Sequence, residues 1–172
     1  MVEGSSFAPL MAPLGELLKK FGLTLAVAES CSGGLLAATL TDLPGASDVF
    51  LGGFVTYTYA AKTGLLGIPG AVLESHGAVS EKVAGLMAEA ARVRLGADLG
   101  LGITGVAGPG RQEGKPVGLI YVAASLADML EVRELRLGTG RASNRIAAVE
   151  GAIALGTEVV SANRESNNRS VR

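Results

Sequence analysis

The sequence has no tryptophan, one cysteine and one histidine, and only 4% of its 172 residues are aromatic. Each shortage closes off a class of chemistry. With Cys31 alone no intrachain disulfide can form, and a reducing compartment, the cytoplasm, is the expected location. Cys31 and His76 together fall short of the nitrogen and sulfur ligand set of a zinc site, so no metal is expected. Lys and Arg number 15 against 16 Asp and Glu, for a formal net charge of -1, and no basic block carries interleaved aromatics. Such a balance offers no field to hold a polyanion, and no nucleic acid partner is expected. No run approaches the ~18 consecutive apolar residues of a bilayer span. The first residues also lack the basic-then-apolar order of a secretory leader, so neither membrane association nor export is expected.

What is present is apolar and small. Hydrophobic residues make up 48% of the chain and glycine contributes 25 residues, which suits one globular domain whose helices pack closely on a sheet. Residues 1–9 are aperiodic and residues 163–172 are polar, so both ends are expected to be flexible, with a single domain over 10–162.

Within that span, patterns of period 3.6 and period 2 alternate. Leu10, Leu14, Leu17, Leu18 and Phe21 mark a helix stopped by Gly22, and Leu23 to Ala28 follows as a strand. Residues 33–40 resume a helical pattern. Residues 52–59, rich in β-branched and aromatic side chains, read as a second strand, followed by a short helical turn. Ser80 is a good N-cap for a helix with Val83, Leu86, Met87, Ala90 and Val93 on one face. Leu99 to Thr104 is a third strand, residues 117–125 and 129–137 an antiparallel pair about Ala127 and Asp128, and residues 143–160 an amphipathic helix. This order predicts an α/β/α layered domain with a mixed or mostly parallel sheet.

The polar content gathers at strand ends. AESCSGG (Ala28 to Gly34) puts an acid, two hydroxyls, a thiol and paired glycines where α/β sheets hold ligands, and helix-opening N–H groups there suit an anion. Helix capping by Ser30 and Ser32, with Cys31 as core, is the plainer alternative. Two further strand ends favour a site, because VTYTYAAK delivers Tyr57, Tyr59 and Lys62 and ITGVAGPG delivers Thr104 toward the same sheet edge. Familiar motifs do not fit. Gly108 and Gly114 are one residue too far apart for a P-loop, and Pro116 stands where its Ser/Thr belongs. CSGG lacks the first glycine of a G-x-S-x-G elbow. Arg141 and Arg145, four apart at a helix start, read as a solvated pair or as phosphate ligands.

Together AESCSGG, FLGGFVTYTYAAK, HGAVSE, ITGVAGPG, KPVG and GRASNR resemble the CinA C-terminal domain family, the nicotinamide-nucleotide amidohydrolases, in order and spacing from about residue 10 to residue 160. The resemblance implies a three-layer α/β/α sandwich with a mixed, mostly parallel central sheet, here in a stand-alone form. It also implies hydrolysis of nicotinamide mononucleotide to nicotinate mononucleotide and ammonia, with a small-molecule nucleotide as partner, no cofactor, and a homodimer. By position the serine nucleophile falls on Ser30, assisted by Lys62 and Tyr57. Glu29, Ser32, Gly33, Gly34, Thr104, Gly105, Gly108, Arg141 and Arg145 fall at the substrate. Backbone N–H groups of Ser32, Gly33 and Gly34 are expected to hold the oxyanion, Arg145 with Arg141 the phosphate, and Glu29 loop N–H groups or a ribose hydroxyl. Ser32 departs from the family's AESCTGG but keeps the hydroxyl. A domain of the same fold that binds nucleotide without turnover is the alternative.

Overall fold

A computed structural model describes residues 8–138 and 140–170. In chain order the elements are α1 (Ala8–Phe21), β1 (Leu25–Glu29), α2 (Leu35–Thr41), a 3₁₀ turn (Ala46–Asp48), β2 (Phe50–Val55), α3 (Tyr59–Leu66), α4 (Gly70–His76), α5 (Glu81–Leu95), β3 (Leu99–Gly105), β4 (Leu119–Leu126), β5 (Met129–Arg136) and α6 (Arg141–Ser170). The sheet runs β2-β1-β3-β4-β5. β1 pairs parallel with both β2 and β3, and β4 runs antiparallel between β3 and β5. Four of five strands therefore point one way, which makes the sheet mixed and mostly parallel.

Alternation along the strands sets the layers. Leu25 and Val27 of β1, with Leu101 and Ile103 of β3, face a core closed by Met11, Leu14 and Leu18 of α1, Leu36 and Leu40 of α2, and Val149 and Ile153 of α6. Ala26 and Ala28 face the other way, onto Leu66 of α3, Leu73 of α4 and Val83 and Met87 of α5. The result is the α/β/α sandwich. Glycine has a packing role in the middle layer. A Cβ on Gly102 would stand 2.5 Å from the Ala84 carbonyl oxygen, so α5 lies closer to β3 than any larger residue would permit.

Element boundaries differ from expectation at three places. β2 begins at Phe50 and ends at Val55, because Thr58 leaves the sheet to cap α3, its Oγ1 accepting from Ala61 N at 3.1 Å. α4, which HGAVSE did not suggest, occupies residues 70–76 and ends at His76. α6 continues through Asn163 to Ser170 instead of giving way to a flexible tail at 163. That extension has partners, since Asn163 Nδ2 donates to Met129 Sδ at 3.6 Å and the Arg164 guanidinium sits 4.8 Å from the Phe21 ring centre. At the other end Ala8 and Pro9 already belong to α1, and the remainder of the expected flexible segment lies outside the described residues. By length and mean hydropathy α6 alone among the described helices is apolar enough to cross a membrane. Its Ala148, Val149, Ala152, Ile153 and Val160 are instead buried in the sandwich.

The crossover direction reverses at β1, which sends α2 to one side and receives β3 on the other after α5. Open α/β sheets hold ligands at the carboxyl ends of strands beside such a reversal. Here that place is Ser30.

Candidate active site

Ser30 leaves β1 with its N–H still bonded to Ile103 O at 2.9 Å, so the sheet fixes where its side chain begins. Lys62, in α3, approaches from the other helical layer. Its Nζ lies 3.0 Å from Ser30 Oγ and donates to Thr56 O at 2.6 Å, and the side chain is 1% exposed. Among the described residues it is among the largest side chains to be fully buried. Burial pushes the Lys62 amine down from 10.5 to about 8, while attraction to a charged Cys31 and to Glu113 works in the opposite direction. Cys31 is itself pushed up to about 12, chiefly by burial. A thiol of that kind is neutral at neutral pH, so Glu113 is the effective anion acting on Lys62.

A pocket of about 80 Å³ opens beside Ser30. Its lining includes Tyr57, Gly105, Gly108 and Arg141 from the expected set, and Cys31 and Gln112 beyond it. Arg141 closes one side, Nη1 donating to Gly108 O at 2.5 Å and Nη2 to Tyr57 OH at 3.1 Å. Gln112 carried no signal in the sequence, because only the tight turn that follows it directs that loop back over the pocket.

Several residues expected at the substrate stand elsewhere. Glu29 is fully buried, and its carboxylate accepts from the N–H groups of Gly34, Leu36 and Ala37 at 3.1, 3.0 and 2.8 Å. It caps α2 and has no oxygen to spare for a ribose hydroxyl. Thr104 is 1% exposed and donates to Ala78 O at 2.7 Å, tying β3 to the loop after α4. Arg145 commits its Nε and Nη2 to Ser32 O, at 3.0 and 2.7 Å, and leaves the pocket to Arg141. Ser32 is buried with its hydroxyl unpartnered and does not line the pocket.

The expected oxyanion donors are also spoken for in part. Gly33 N–H donates to Ser30 O and Gly34 N–H to Glu29, an arrangement that the left-handed φ of 64° and 93° at these two glycines makes accessible. In this turn, among the described residues, the N–H groups of Cys31 and Ser32 are the ones with no oxygen acceptor, and Cys31 lines the pocket. Chemically the site is a hydroxyl within reach of a buried amine, beside a polar pocket with backbone N–H groups at one end and a guanidinium at the other.

Comparison with known proteins agrees with this architecture. The family model described as the CinA C-terminal domain matches residues 8–160. A CinA-like protein of Desulfovibrio desulfuricans is 53% identical over 137 residues, covering 79% of this chain and 32% of that protein. Another CinA-like protein, of Parasynechococcus marenigrum, is 50% identical over 126 residues, 73% of this chain and 30% of its own length. The chain thus spans about a third of the curated relatives it matches. Among solved structures, a competence-damaged protein (CinA) superfamily protein of Klebsiella pneumoniae superposes with a TM-score of 0.87 at 30% identity, covering 90% of this chain and 98% of that one. The competence/damage inducible protein CihA of Agrobacterium tumefaciens gives 0.83 at 37% identity, covering 90% and 95%.

Proposed function

The chain belongs to the CinA C-terminal domain family, and from that membership we propose that it is an amidohydrolase acting on nicotinamide mononucleotide, with Ser30 as nucleophile and Lys62 as its base. The observation that carries this reading is the 3.0 Å approach of a fully buried lysine nitrogen to a serine oxygen at a pocket mouth. A surface lysine would be protonated and useless as a base. An amine near 8 has roughly a tenth of its population neutral at pH 7, enough to take the Ser30 proton and later return it.

In this scheme neutral Lys62 keeps one N–H on Thr56 O and directs its lone pair at the Ser30 hydroxyl. Ser30 Oγ attacks the carboxamide carbon and its proton moves to Lys62. The carbonyl oxygen becomes an anion facing the Cys31 N–H. Collapse breaks the C–N bond, Lys62 gives its proton to the departing amine, and ammonia leaves an acyl-serine. Water then attacks the ester with Lys62 again as base, releasing the carboxylate product and restoring Ser30. Tyr57 acts at the pocket wall, where its hydroxyl accepts from Arg141.

A cavity of about 80 Å³ has room for a small polar group. That admits a carboxamide and leaves the sugar and phosphate to extend along Gly108 and Gly110 toward Arg141. The test is ammonia release from nicotinamide mononucleotide by the purified protein and by Ser30→Ala. Turnover in the first and none in the second, with an unchanged fold by circular dichroism, is expected. Most of the activity surviving in Ser30→Ala removes the serine from the mechanism, and failure of the parent protein to release ammonia removes the substrate.

A further inference from the structure

One carboxylate near the site has no place in that scheme. Glu113 sits in a tight turn between Gln112 and Lys115, whose backbones exchange both hydrogen bonds, at 3.3 and 2.8 Å. The two central residues both have left-handed φ, 51° at Glu113 and 72° at Gly114. Turns of this length draw Asn, Asp or Gly at the first central position. A glutamate there carries backbone strain. Positions that keep such strain are held by their surroundings, and here the surroundings are visible.

Glu113 Oε1 accepts from Tyr59 OH at 2.7 Å and from Ala78 N at 3.1 Å, and Oε2 accepts from Val79 N at 3.3 Å and from Lys115 Nζ at 3.4 Å. Lys115 also donates to His76 O at 3.2 Å and to Val79 O. A single carboxylate therefore joins three segments: the first residue of α3, the loop after α4, and the turn whose Gln112 lines the pocket. Tyr59 lies three residues before Lys62 in α3, so holding one orients the other. The ionisable groups about Lys62 are Cys31 and Glu29 from the β1–α2 turn and Glu113 with its partner Lys115 from the turn at 112–115. Cys31 is a neutral thiol, and the Glu29 carboxylate is held by three N–H donors at the start of α2.

We propose that Glu113 is a positioning residue for the Ser30–Lys62 pair: its carboxylate locks the start of α3, and through it Lys62, to the loop after α4 and to the turn that carries Gln112. This rests on the amidohydrolase reading for its consequence in catalysis, and on the structure alone for its effect on Lys62. Burial lowers the Lys62 amine, and the Glu113 charge acts in the opposite direction.

The experiment uses the full chain with Glu113→Gln, Glu113→Asn and Glu113→Asp. Asn and Asp both suit the left-handed turn, so the Asn variant keeps the test alive where the Gln variant does not fold. Two midpoints are read: the acid limb of kcat/KM with nicotinamide mononucleotide, and the titration of the Lys62 side chain in 13C-lysine-labelled protein, its resonance assigned by its loss in Lys62→Met. Gln and Asn are expected to move both midpoints to lower pH, since an anion that favoured the ammonium is gone, while Asp keeps both near the parent values. Unmoved Lys62 midpoints in the Gln and Asn proteins, with activity merely reduced at every pH, overturn the proposal. A Lys62 midpoint that moves as stated while the parent protein releases no ammonia supports it and sinks the amidohydrolase reading instead.

Discussion

Lys62→Met should abolish activity and raise stability. Lys62 is 1% exposed and its amine is lowered from 10.5 to about 8. At 1.36 kcal/mol per unit, the folded state forgoes about 3 kcal/mol at neutral pH by keeping a charge where it is poorly solvated. The sign follows from proton counts. Between about 8 and 10.5 the unfolded chain holds the lysine proton and the folded chain has released it, so this contribution to stability rises with pH. Below about 8 both states are protonated and the penalty is complete. Methionine has a similar length and no charge, and its insertion leaves Thr56 O without a donor, a loss of about 1 kcal/mol. The variant should therefore exceed the parent by about 2 kcal/mol at pH 6.5, and the gap should close by about 2 kcal/mol on moving to pH 9.5. Urea unfolding of both proteins across that range is the assay. The Cys31 thiol, whose raised value makes folding less favourable above about 9, contributes in both chains. A gap that does not change with pH, or a variant less stable than the parent at pH 6.5, refutes the claim that the amine is buried against its charge.

The other expectations divide the site by role. Glu29→Ala strips three N–H groups at the start of α2 of their acceptor and should lower stability by about 3 kcal/mol in urea unfolding; an unchanged midpoint would return Glu29 to the substrate. Arg141→Ala should raise KM for nicotinamide mononucleotide by 10-fold to ~100-fold, the scale of charge-assisted hydrogen bonds, with kcat nearly kept. Arg145→Ala should instead destabilise the fold by about 1–2 kcal/mol and lower kcat through the Ser32 carbonyl it holds; a KM effect equal to that of Arg141→Ala would place both guanidiniums on the phosphate. The acid limb of kcat/KM in the parent protein should have its midpoint near 8, and an activity flat from pH 6 to 9 would exclude Lys62 as the base.

How far these features could be read without coordinates depended on the range of the interaction. Local periodicity placed the helices and strands because burial repeats every 3.6 or 2 residues, and Ser80 was identifiable as a cap, with its Oγ accepting from Val83 N at 3.3 Å. The hairpin at Ala127 and Asp128 was legible for the same reason, with Leu126 opposite Met129. Where a strand stops was less so. Residues 56–58 have the β-branched and aromatic character of a strand, yet they lie at a sheet edge where one hydroxyl, that of Thr58, gains more by capping α3 than by extending β2. The last turns of α6 were missed because their polar composition looks solvated, and what holds them is a contact with Met129 and Phe21 far back in the chain.

Within the site, residue types were readable and their partners were not. Two arginines four apart look alike in sequence, and which one reaches the pocket is decided by a carbonyl 113 positions away. Glu29 poses the same problem in sharper form. An acid next to Ser30, if aimed at Lys62, would add a second anion to that of Glu113 and hold the amine in its charged form. The structure avoids this by spending that carboxylate on three N–H groups at a helix start, the end of a helix that best stabilises negative charge. Burial is the main influence on Lys62, with Glu113 acting against it. The paired glycines after Ser32 take part in the same device, since their left-handed conformations turn the chain so that α2 begins where the Glu29 oxygens already are. The motif is thus a capping arrangement, and in the proposed mechanism a catalytic one, with the first permitting the second.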